Sequence, residues 1–293
     1  MKKLLFFAVI ISQSVFSQET DFLKIKKYKV SYLDDKIRET SGLNLFKNRL
    51  YTFNDSGNTP ELFEIDKGSG NIISVMKINA SNTDWEALAN DGEHFYIGDF
   101  GNNLGTRKDL KIFKIPFQKE NLTIDPAATI SFYYPEQTDF TPKNTDTDFD
   151  VEAMIWLNGK LHLFTKEWAS KATTHYIIDP EISENQKAQK AETYKTGFVV
   201  TDAAYFAQKL YLIGYTKKTE VFLDIFDETE PGIFFNSSPK HYYLGSSLSI
   251  GQIEGIAVNE DGIYISGEKF NSPLGSTKQG LYFIPSDKNK PGK

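Results

Sequence analysis

A fivefold internal repeat constrains the fold of this 293-residue chain more than any other feature of its sequence. Five segments align without gaps, and in each a Ser, Thr or Glu lies ten residues before a Tyr or His. A short turn sequence such as Asn158-Gly159 separates the two halves of each segment. Because Asn-Gly or Asp-Gly between apolar runs is a strong hairpin signal, each repeat predicts a β-hairpin. The segments are 41–51, 86–96, 152–162, 201–211 and 254–264.

Further apolar runs after each hairpin extend the repeat into a sheet. A third strand is predicted in all five repeats, such as 62–65, and a fourth in the first four, such as 72–78. The fifth repeat lacks a fourth strand, whereas a spare strand, 23–33, precedes the first repeat. We therefore predict an all-β, five-bladed β-propeller with four-stranded blades, closed by the N-terminal strand in the last blade. A two-sheet sandwich is the alternative, and five gapless hairpin matches disfavour it.

Composition and charge exclude several classes of function. Lys and Arg number 33 against 39 Asp and Glu, a net charge of −6, so no nucleic acid polymer is expected as a partner. The chain has no Cys, which excludes disulfides, iron–sulfur clusters, thiolate zinc sites and Cys nucleophiles.

The first 17 residues have the pattern of a secretory signal peptide. Lys2 and Lys3 precede the short apolar run 4–11, and a cleavage site is predicted after Ser17. The run is far shorter than the roughly 20 residues that cross a bilayer, so no membrane insertion is expected. We predict one propeller domain over 18–285, a flexible tail over 286–293, and a periplasmic or secreted, extracytoplasmic location.

The repeat places five equivalent side chains at the start of the inner strands, which line the central channel of a propeller. Three of the five are carboxylates, which repel one another unless a cation lies between them. Ca2+ is the expected cofactor because it takes six to eight hard oxygen ligands, and no nitrogen or sulfur ligand occupies these positions. A water-filled acidic channel is the alternative. The predicted metal ligands are Ser41, Glu86, Glu152, Thr201 and Glu254.

Alternation along the strands adds further acidic residues on the approach to this channel. Residues two apart share a face, so Asp84 lines up with Glu86. In the same way Asp146, Asp148 and Asp150 line up with Glu152. These acids predict either a negative rim or a second, weaker cation site.

The start of each inner strand and the end of its neighbour meet at one face, which is the expected mouth of the channel. Asp55 is the candidate catalytic residue, positioning or deprotonating a water, although it could instead cap its own turn. Trp85 and Trp168 lie near the same mouth and are candidates for ligand contact. The predicted ligand-binding residues are Asn54, Asp99, Asn102, Asn103, Lys166, Glu268 and Lys269.

The ring of Ser, Glu, Glu, Thr and Glu, one residue per blade, resembles that of the calcium-activated nucleotidases, or apyrases. The hairpin 50–57 and the stretch 84–98 are also similar to segments of that family. The resemblance implies a five-bladed propeller with Ca2+ in its tunnel and hydrolysis of nucleotides. Two cationic positions differ, because Ser56 and Lys166 stand in stretches where the family has Arg. Phytase-like and gluconolactonase-like propellers are more distant resemblances.

Two functions of different class follow from these patterns. Because Arg is depleted at the mouth, we favour a monomeric, calcium-containing module that binds a small molecule, a glycan or a protein. The alternative is a Ca2+-dependent phosphohydrolase of the nucleotidase type, which the order of the ring and the loop at Asn54 and Asp55 favour.

Overall fold

The computed structural model describes residues 20–118, 123–182, 184–273 and 275–288. The predicted signal peptide, 1–17, lies outside the described residues, as do the last five residues of the predicted tail. The first three residues of that tail, Ser286–Lys288, form a 3₁₀ turn.

Five antiparallel sheets form the five blades of a β-propeller, which confirms the predicted fold class. The inner strand of each blade packs against the inner strand of the next, and that of blade 5 packs against that of blade 1, so the ring is closed. From inner to outer, the strands are Thr40–Phe46, Arg49–Asn54, Glu61–Ile65 and Ile72–Ile78 in blade 1; Trp85–Asn90, His94–Asp99, Lys111–Pro116 and Ala128–Tyr133 in blade 2; Val151–Leu157, Lys160–Thr165, Thr173–Ile178 and Gln189–Tyr194 in blade 3; Val199–Phe206, Lys209–Tyr215, Glu220–Asp227 and Lys240–Ser246 in blade 4; and Gln252–Asn259, Gly262–Glu268 and Gly280–Pro285 in blade 5.

The N-terminal segment supplies the missing outer strand of blade 5, as predicted. Lys29–Tyr32 pairs antiparallel with Gly280–Pro285, so the two ends of the propeller domain are joined by backbone hydrogen bonds. The strand is shorter than the predicted 23–33, because Ile25–Tyr28 forms a 3₁₀ turn that buries Ile25 between blades 4 and 5.

Three blades carry a fifth, short strand in addition to the predicted four. Thr123–Ile124, Gln186–Lys187 and Thr20–Phe22 pair in parallel with the outer strands of blades 1, 2 and 4. Each of these segments lies just before the outer strand of the following blade. The chain thus covers an exposed sheet edge of one blade before it completes the next, which removes unpaired edge groups.

The remaining elements are short. A 3₁₀ turn at Asp35–Ile37 precedes blade 1, and a single helical turn, Ser247–Ile250, joins blades 4 and 5. A small hairpin, Phe270–Ser272 with Gly275–Thr277, leaves blade 5. Within the described ranges, no helix is both long and apolar enough to cross a membrane.

The hairpin turns between first and second strands have the backbone that the sequence predicts. Asn158 and Gly159 both have positive φ, 52° and 76°, which is the conformation of a type I′ turn. Ala207 and Gln208 adopt the same conformation, with φ of 50° and 59°, although neither residue favours it. The strand pairing on both sides therefore imposes this turn on residues that carry no turn signal.

Five apolar clusters form the core, one at each interface between neighbouring blades. Trp85 is fully buried between blades 1 and 2, where its ring lies edge-on to Phe53 at 5.5 Å. Its indole N–H donates to the carbonyl of Ser81, so Trp85 is a core residue and not the ligand contact that its position suggested. A core distributed around the axis holds the inner strands rigidly, which fixes the side chains at the channel.

Candidate functional site

A β-bulge at the start of every inner strand positions the five ring residues. In blades 2 to 5 the pairing register skips the ring residue itself, so Glu86, Glu152, Thr201 and Glu254 have no cross-strand partner residue. In blade 1 the register skips Gly42, next to Ser41. A bulge re-aims a side chain, and repeating it in each blade brings these residues to one level of the axis.

Four of the five predicted ring residues line one cavity of about 200 Å³ at the mouth end of the channel. Thr201 is not part of the lining, because its buried hydroxyl donates to the carbonyl of Ile253 in blade 5 at 2.8 Å. We call this the carboxylate cavity. Its lining residues are Ser41, Asp55, Glu86, Asn103, Glu152, Lys166, Trp168, Tyr215, Gln252, Glu254 and Glu268.

An ammonium group lies inside the predicted ring. Lys166 is 6% exposed, and its Nζ lies 3.0 Å from Oε1 of Glu152. Burial by itself lowers the pKa of Lys166, but the neighbouring carboxylates, Glu152 first, hold that pKa well above its ordinary value. Lys166 is therefore a permanent cation, and its charge acts on Asp55, Glu86, Glu152 and Glu254.

Three carboxylates form a close acidic cluster, and the charge of Lys166 acts on two of them, Asp55 and Glu86. Oxygen atoms of Asp55, Asp84 and Glu86 all lie within 4.8 Å of one another. Burial, together with the charges of Asp55 and Glu152, raises the pKa of Asp84 to about 7. Burial and the charge of Glu152 also raise the pKa of Glu86 well above its ordinary value. The arrangement is electrostatically costly without a positive charge among the three.

A glycine leaves the space around this acidic cluster open. A Cβ at Gly101 would lie 2.5 Å from Oδ2 of Asp84 and 2.5 Å from Oε1 of Glu86. Real Cβ atoms do not approach oxygen this closely, so any other residue would displace the two carboxylates. Gly101 thus allows both side chains to face the same small space.

A second acidic pair, on the blade 5 side of the cavity, is held by an amide. Nε2 of Gln252 donates to Oε1 of Glu254 and to Oε1 of Glu268, each at 2.7 Å. Burial raises the pKa of Glu254 to about 8 and that of Glu268 to about 9. Oε2 of Glu254 is buried and has no hydrogen-bond partner among the described residues. It therefore remains available to accept a donor or a cation.

A buried aspartate closes the channel below the ring. Asp202 is fully buried and accepts backbone N–H bonds from Leu43 in blade 1, at 3.2 Å, and from Ile256 in blade 5, at 2.7 Å. A third N–H bond comes from its neighbour Ala203 at 2.8 Å. One side chain of blade 4 therefore ties three inner strands together across the axis.

The predicted mouth residues separate into two groups. Asn103, Lys166, Glu268 and Asp55 line the carboxylate cavity, as expected of ligand-binding residues. The other four do not line it. Asn54 forms hydrogen bonds with the backbone of Lys36 and Glu39, and Asn102 with the backbone of Phe149 and Arg107. Asp99 forms an ion pair with Arg107 at 3.0 Å, and Lys269 is exposed outside the cavity lining.

Some residues of the site were not identified from the sequence. Gln252 and Tyr215 line the cavity, and Asp202 forms its support, although none was predicted to do so. Gln252 lies two residues before Glu254, so strand alternation could have identified it. Asp202 follows a ring position directly, and nothing in the sequence indicates that its carboxylate reaches two other blades.

Comparison with known proteins does not assign this chain to a family. No protein-family model matches the chain, and no characterised protein matches its sequence. Many solved structures are similar, and three of them, all at low identity, illustrate the likeness. One is the hydrazine synthase of Kuenenia stuttgartiensis, with 10% identity and a TM-score of 0.42 over 87% of this chain and 68% of that chain. Another is a protein assigned as a 6-phosphogluconolactonase from Bacteroides uniformis, with 12% identity and a TM-score of 0.35 over 89% of this chain and 74% of that one.

The third is a protein assigned as an oxidoreductase, a glucose dehydrogenase, from Thermus thermophilus. It has 11% identity and a TM-score of 0.47 over 86% of this chain and 98% of that chain. At these identities and TM-scores the three likenesses carry no conclusion about activity. The resemblance to the calcium-activated nucleotidases remains one of sequence motifs.

Proposed function

We propose that this protein is a ligand-binding propeller that holds a divalent cation, Ca2+, in its carboxylate cavity. The observation that carries the proposal is the convergence of Asp55, Asp84 and Glu86, whose oxygen atoms lie within 4.8 Å of one another. Oxygen donors of this kind suit Ca2+, which tolerates irregular coordination by carboxylates and waters. Ser41, whose hydroxyl lies 3.4 Å from Oε2 of Glu86, would add a neutral oxygen to the same side.

The charges of the cavity support the same assignment. Five lining residues are acidic and one, Lys166, is basic. The ammonium pairs directly with Glu152 and acts through its charge on Asp55 and Glu86, but among the described residues it forms no ion pair with Asp55, Asp84 or Glu86. We therefore place the cation between those three residues and not at the centre of all five predicted ring positions. Glu152 and Glu254 would contribute through the field of the cavity more than as ligands.

The cation would connect the cavity to a ligand at the mouth. Asn103 and Glu268 stand at the rim with amide and carboxyl groups that suit polar ligands. Together with a partly hydrated cation, such groups bind hydroxyl or carboxylate oxygens of a small molecule, a glycan or a protein side chain. The ligand would be bound in this way without being chemically altered.

Calcium titration by calorimetry, on protein first stripped with a chelator, tests the proposal. We expect one ion per chain, with binding lost in Asp84→Asn and in Glu86→Gln. Glu260→Gln removes the same charge from an exposed hairpin turn at the other end of blade 5 and should bind as the wild type does. If the stripped protein gives no heat and no thermal shift with Ca2+, the cavity is a hydrated acidic channel and the proposal fails.

A Ca2+-dependent phosphohydrolase is the second candidate, and the position of Asp55 favours it. Asp55 lines the cavity beside the acidic cluster, and burial raises the pKa of its carboxyl. A carboxylate in this place could accept the proton of an attacking water. Release of phosphate from nucleoside di- and triphosphates, measured with and without Ca2+, decides the matter. Turnover that is absent in the wild type excludes this candidate and leaves the binding function unaffected.

We also propose that the protein acts outside the cytoplasm. The support is the leader pattern of residues 1–17. The mass of the protein recovered from a periplasmic or medium fraction tests this. A chain that begins at Gln18 is expected, whereas a full-length chain confined to the cytoplasm would contradict it.

A further inference from the structure

A second cavity, of about 310 Å³, lies beside the carboxylate cavity on the mouth face, between blades 3 and 4. Trp168 and Tyr215 line both cavities, so the two share a wall. Phe198 and Val199 add apolar surface to the new cavity, at the entry to the inner strand of blade 4. We call it the lysine pocket, after Lys171, Lys217 and Lys218 at its rim.

The lysine pocket is cationic in a chain whose net charge is −6. Its three lysines face a single acidic lining residue, Glu220, which already accepts a hydrogen bond from the hydroxyl of Thr216 at 3.2 Å. Farther out, Asp146 and Asp148 act on Lys171 through their charges. The cavity next door has the opposite balance, with five acidic residues and one basic residue. A ligand at this mouth therefore meets adjacent regions of opposite charge.

The ammonium groups gather around one indole ring. Nζ of Lys171 and Nζ of Lys217 each lie 5.3 Å from the ring centroid of Trp168, and Nζ of Lys166 lies 5.8 Å from it on the cavity side. The ring of Tyr215 lies edge-on to Trp168, with the centroids 6.3 Å apart. Aromatic faces attract cations, so the indole holds several positive charges close together in front of an apolar wall.

The indole N–H of Trp168 is an unused donor. Its Nε1 is buried, and none of the described residues accepts a hydrogen bond from it. By contrast, the indole N–H of Trp85 is satisfied by a backbone carbonyl at 2.9 Å. Nearly all buried polar groups in proteins are hydrogen-bonded, so the unpaired indole N–H distinguishes Trp168 from Trp85.

We propose that the lysine pocket is an anion-binding subsite that takes a phosphate or carboxylate group carried on a ring or other apolar body. The lysines supply the charge for the anionic group, and Trp168 with Phe198 supplies the surface for the ring. The site goes beyond the proposed cation site and does not depend on it. If both are occupied, one ligand can place a neutral polar part over the carboxylate cavity and its anionic part between the lysines.

Binding of phenyl phosphate and of benzoate to the chelator-treated protein tests the subsite. Both probes join an anion to a ring, and their relative affinities distinguish phosphate from carboxylate recognition. Benzyl alcohol has the ring without the charge. We expect saturable heat in calorimetry and a saturable change in tryptophan fluorescence with at least one anionic probe, and neither signal with benzyl alcohol. Trp168→Phe should abolish the fluorescence change.

Charge-removing variants locate the site. Lys171→Met and Lys217→Met keep the length of the side chain and should each weaken binding about tenfold. Lys190→Met removes a charge from the exposed outer strand of blade 3 and should leave the affinity unchanged. The variants alter partly or fully exposed side chains, and thermal melting verifies that they fold. Equal binding of benzyl alcohol, or equal affinity in all three lysine variants, would overturn the proposal.

The same titration in Glu86→Gln separates the two sites. Because Glu86 does not line the lysine pocket, the anionic probes should bind this variant as they bind the wild type. If Glu86→Gln loses Ca2+ binding and still binds the probes, the two sites are separate. Failure of the proposed cation site would then not contradict the anion-binding subsite. Loss of probe binding in Glu86→Gln would instead show that the probes bind in the carboxylate cavity.

Discussion

Replacement of Lys166 by methionine tests the electrostatics of the carboxylate cavity most directly. The ammonium lies 3.0 Å from Glu152, and at an effective dielectric constant of about 20 this separation corresponds to about 5 kcal/mol of attraction. Methionine keeps most of the side-chain volume and removes the charge. The variant must then either leave Glu152 buried and unpaired or bind a proton there.

Protonation is the less costly route, and it sets the size of the effect. Taking up a proton at pH 7 on a carboxyl with an ordinary pKa near 4.3 costs about 4 kcal/mol. The variant no longer buries an ammonium group, which returns part of this cost. We therefore expect Lys166→Met to lower the free energy of unfolding by about 3 kcal/mol at pH 7 in the presence of a chelator.

Added Ca2+ should reverse much of this loss. A cation that binds only the folded state stabilises it by about 2.7 kcal/mol at 100 times its dissociation constant. With the competing ammonium gone, Ca2+ should stabilise Lys166→Met more than it stabilises the wild type at the same concentration. Urea unfolding followed by tryptophan fluorescence, with and without Ca2+, measures both quantities.

A surface pair supplies the control for this experiment. Lys143 lies 2.9 Å from Asp139, with both side chains about half exposed, so Lys143→Met should change the free energy of unfolding by less than about 1 kcal/mol. The reasoning is refuted if Lys166→Met in chelator is as stable as Lys143→Met. That result would mean that Lys166 contributes no more to the free energy of unfolding than water in its place would.

Three further predictions follow from other parts of the structure. Burial, and the charge of the neighbouring His175, lower the pKa of His162 to about 4, so the unfolded chain binds a proton between pH 6.5 and 4 that the folded chain does not. Stability therefore falls as pH falls through this window, by up to about 3 kcal/mol, and urea titrations of His162→Gln should show a shallower dependence. Asp202→Asn replaces a carboxylate that accepts three backbone N–H bonds and should lower the free energy of unfolding by about 3 kcal/mol, whereas unchanged thermal unfolding would contradict its role. Gly101→Ala should weaken Ca2+ binding at least about tenfold in calorimetry, because its Cβ would meet Asp84 and Glu86 at 2.5 Å; Gly68→Ala, whose Cβ meets an oxygen of Asp66 at an ordinary 3.5 Å, is the matched control.

The sequence predicts the blades because all five hairpins share one repeat and several of them carry a local turn signal. Turn residues such as Asn158 and Gly159, and alternating apolar strands around them, indicate five hairpins without reference to the rest of the chain. The closure by an N-terminal strand follows from counting the predicted strands. The fifth repeat lacks a fourth strand, and the segment 23–33 is a strand that precedes the first repeat. The short parallel strands could not be predicted in this way. They contain two or three residues each, and their pairing depends on how neighbouring blades lie in space.

The ring positions could be predicted, but the charges within the ring could not. A repeat shows that Glu86, Glu152 and Glu254 are equivalent, so their convergence follows from the fold. The sequence places Lys166 at the mouth, directly after a second strand, but it does not indicate that the ammonium pairs with Glu152 inside the ring. Thr201 illustrates the same limit, since its position is equivalent to the others while its hydroxyl bonds the neighbouring blade.

The covalent charge of Lys166 and the proposed exchangeable cation are alternative solutions to the crowding of carboxylates at the axis. Lys166 pairs with Glu152 and cannot leave, so one positive charge is present in the ring whatever the solution contains. The fixed charges of Lys166 and Arg107 offset the repulsion among Asp55, Asp84 and Glu86 only in part, and protons or a bound cation would relieve it further. With the proposed cation site, the charge of this group would therefore depend on pH and on the cation concentration in solution. Because Asp55 and Glu86 line the same cavity as the rim residues Asn103 and Glu268, a change in occupancy there alters the charge that a ligand meets. A second lysine in place of the proposed cation would stabilise the fold equally well, but the charge of the cavity would then no longer depend on the cation concentration.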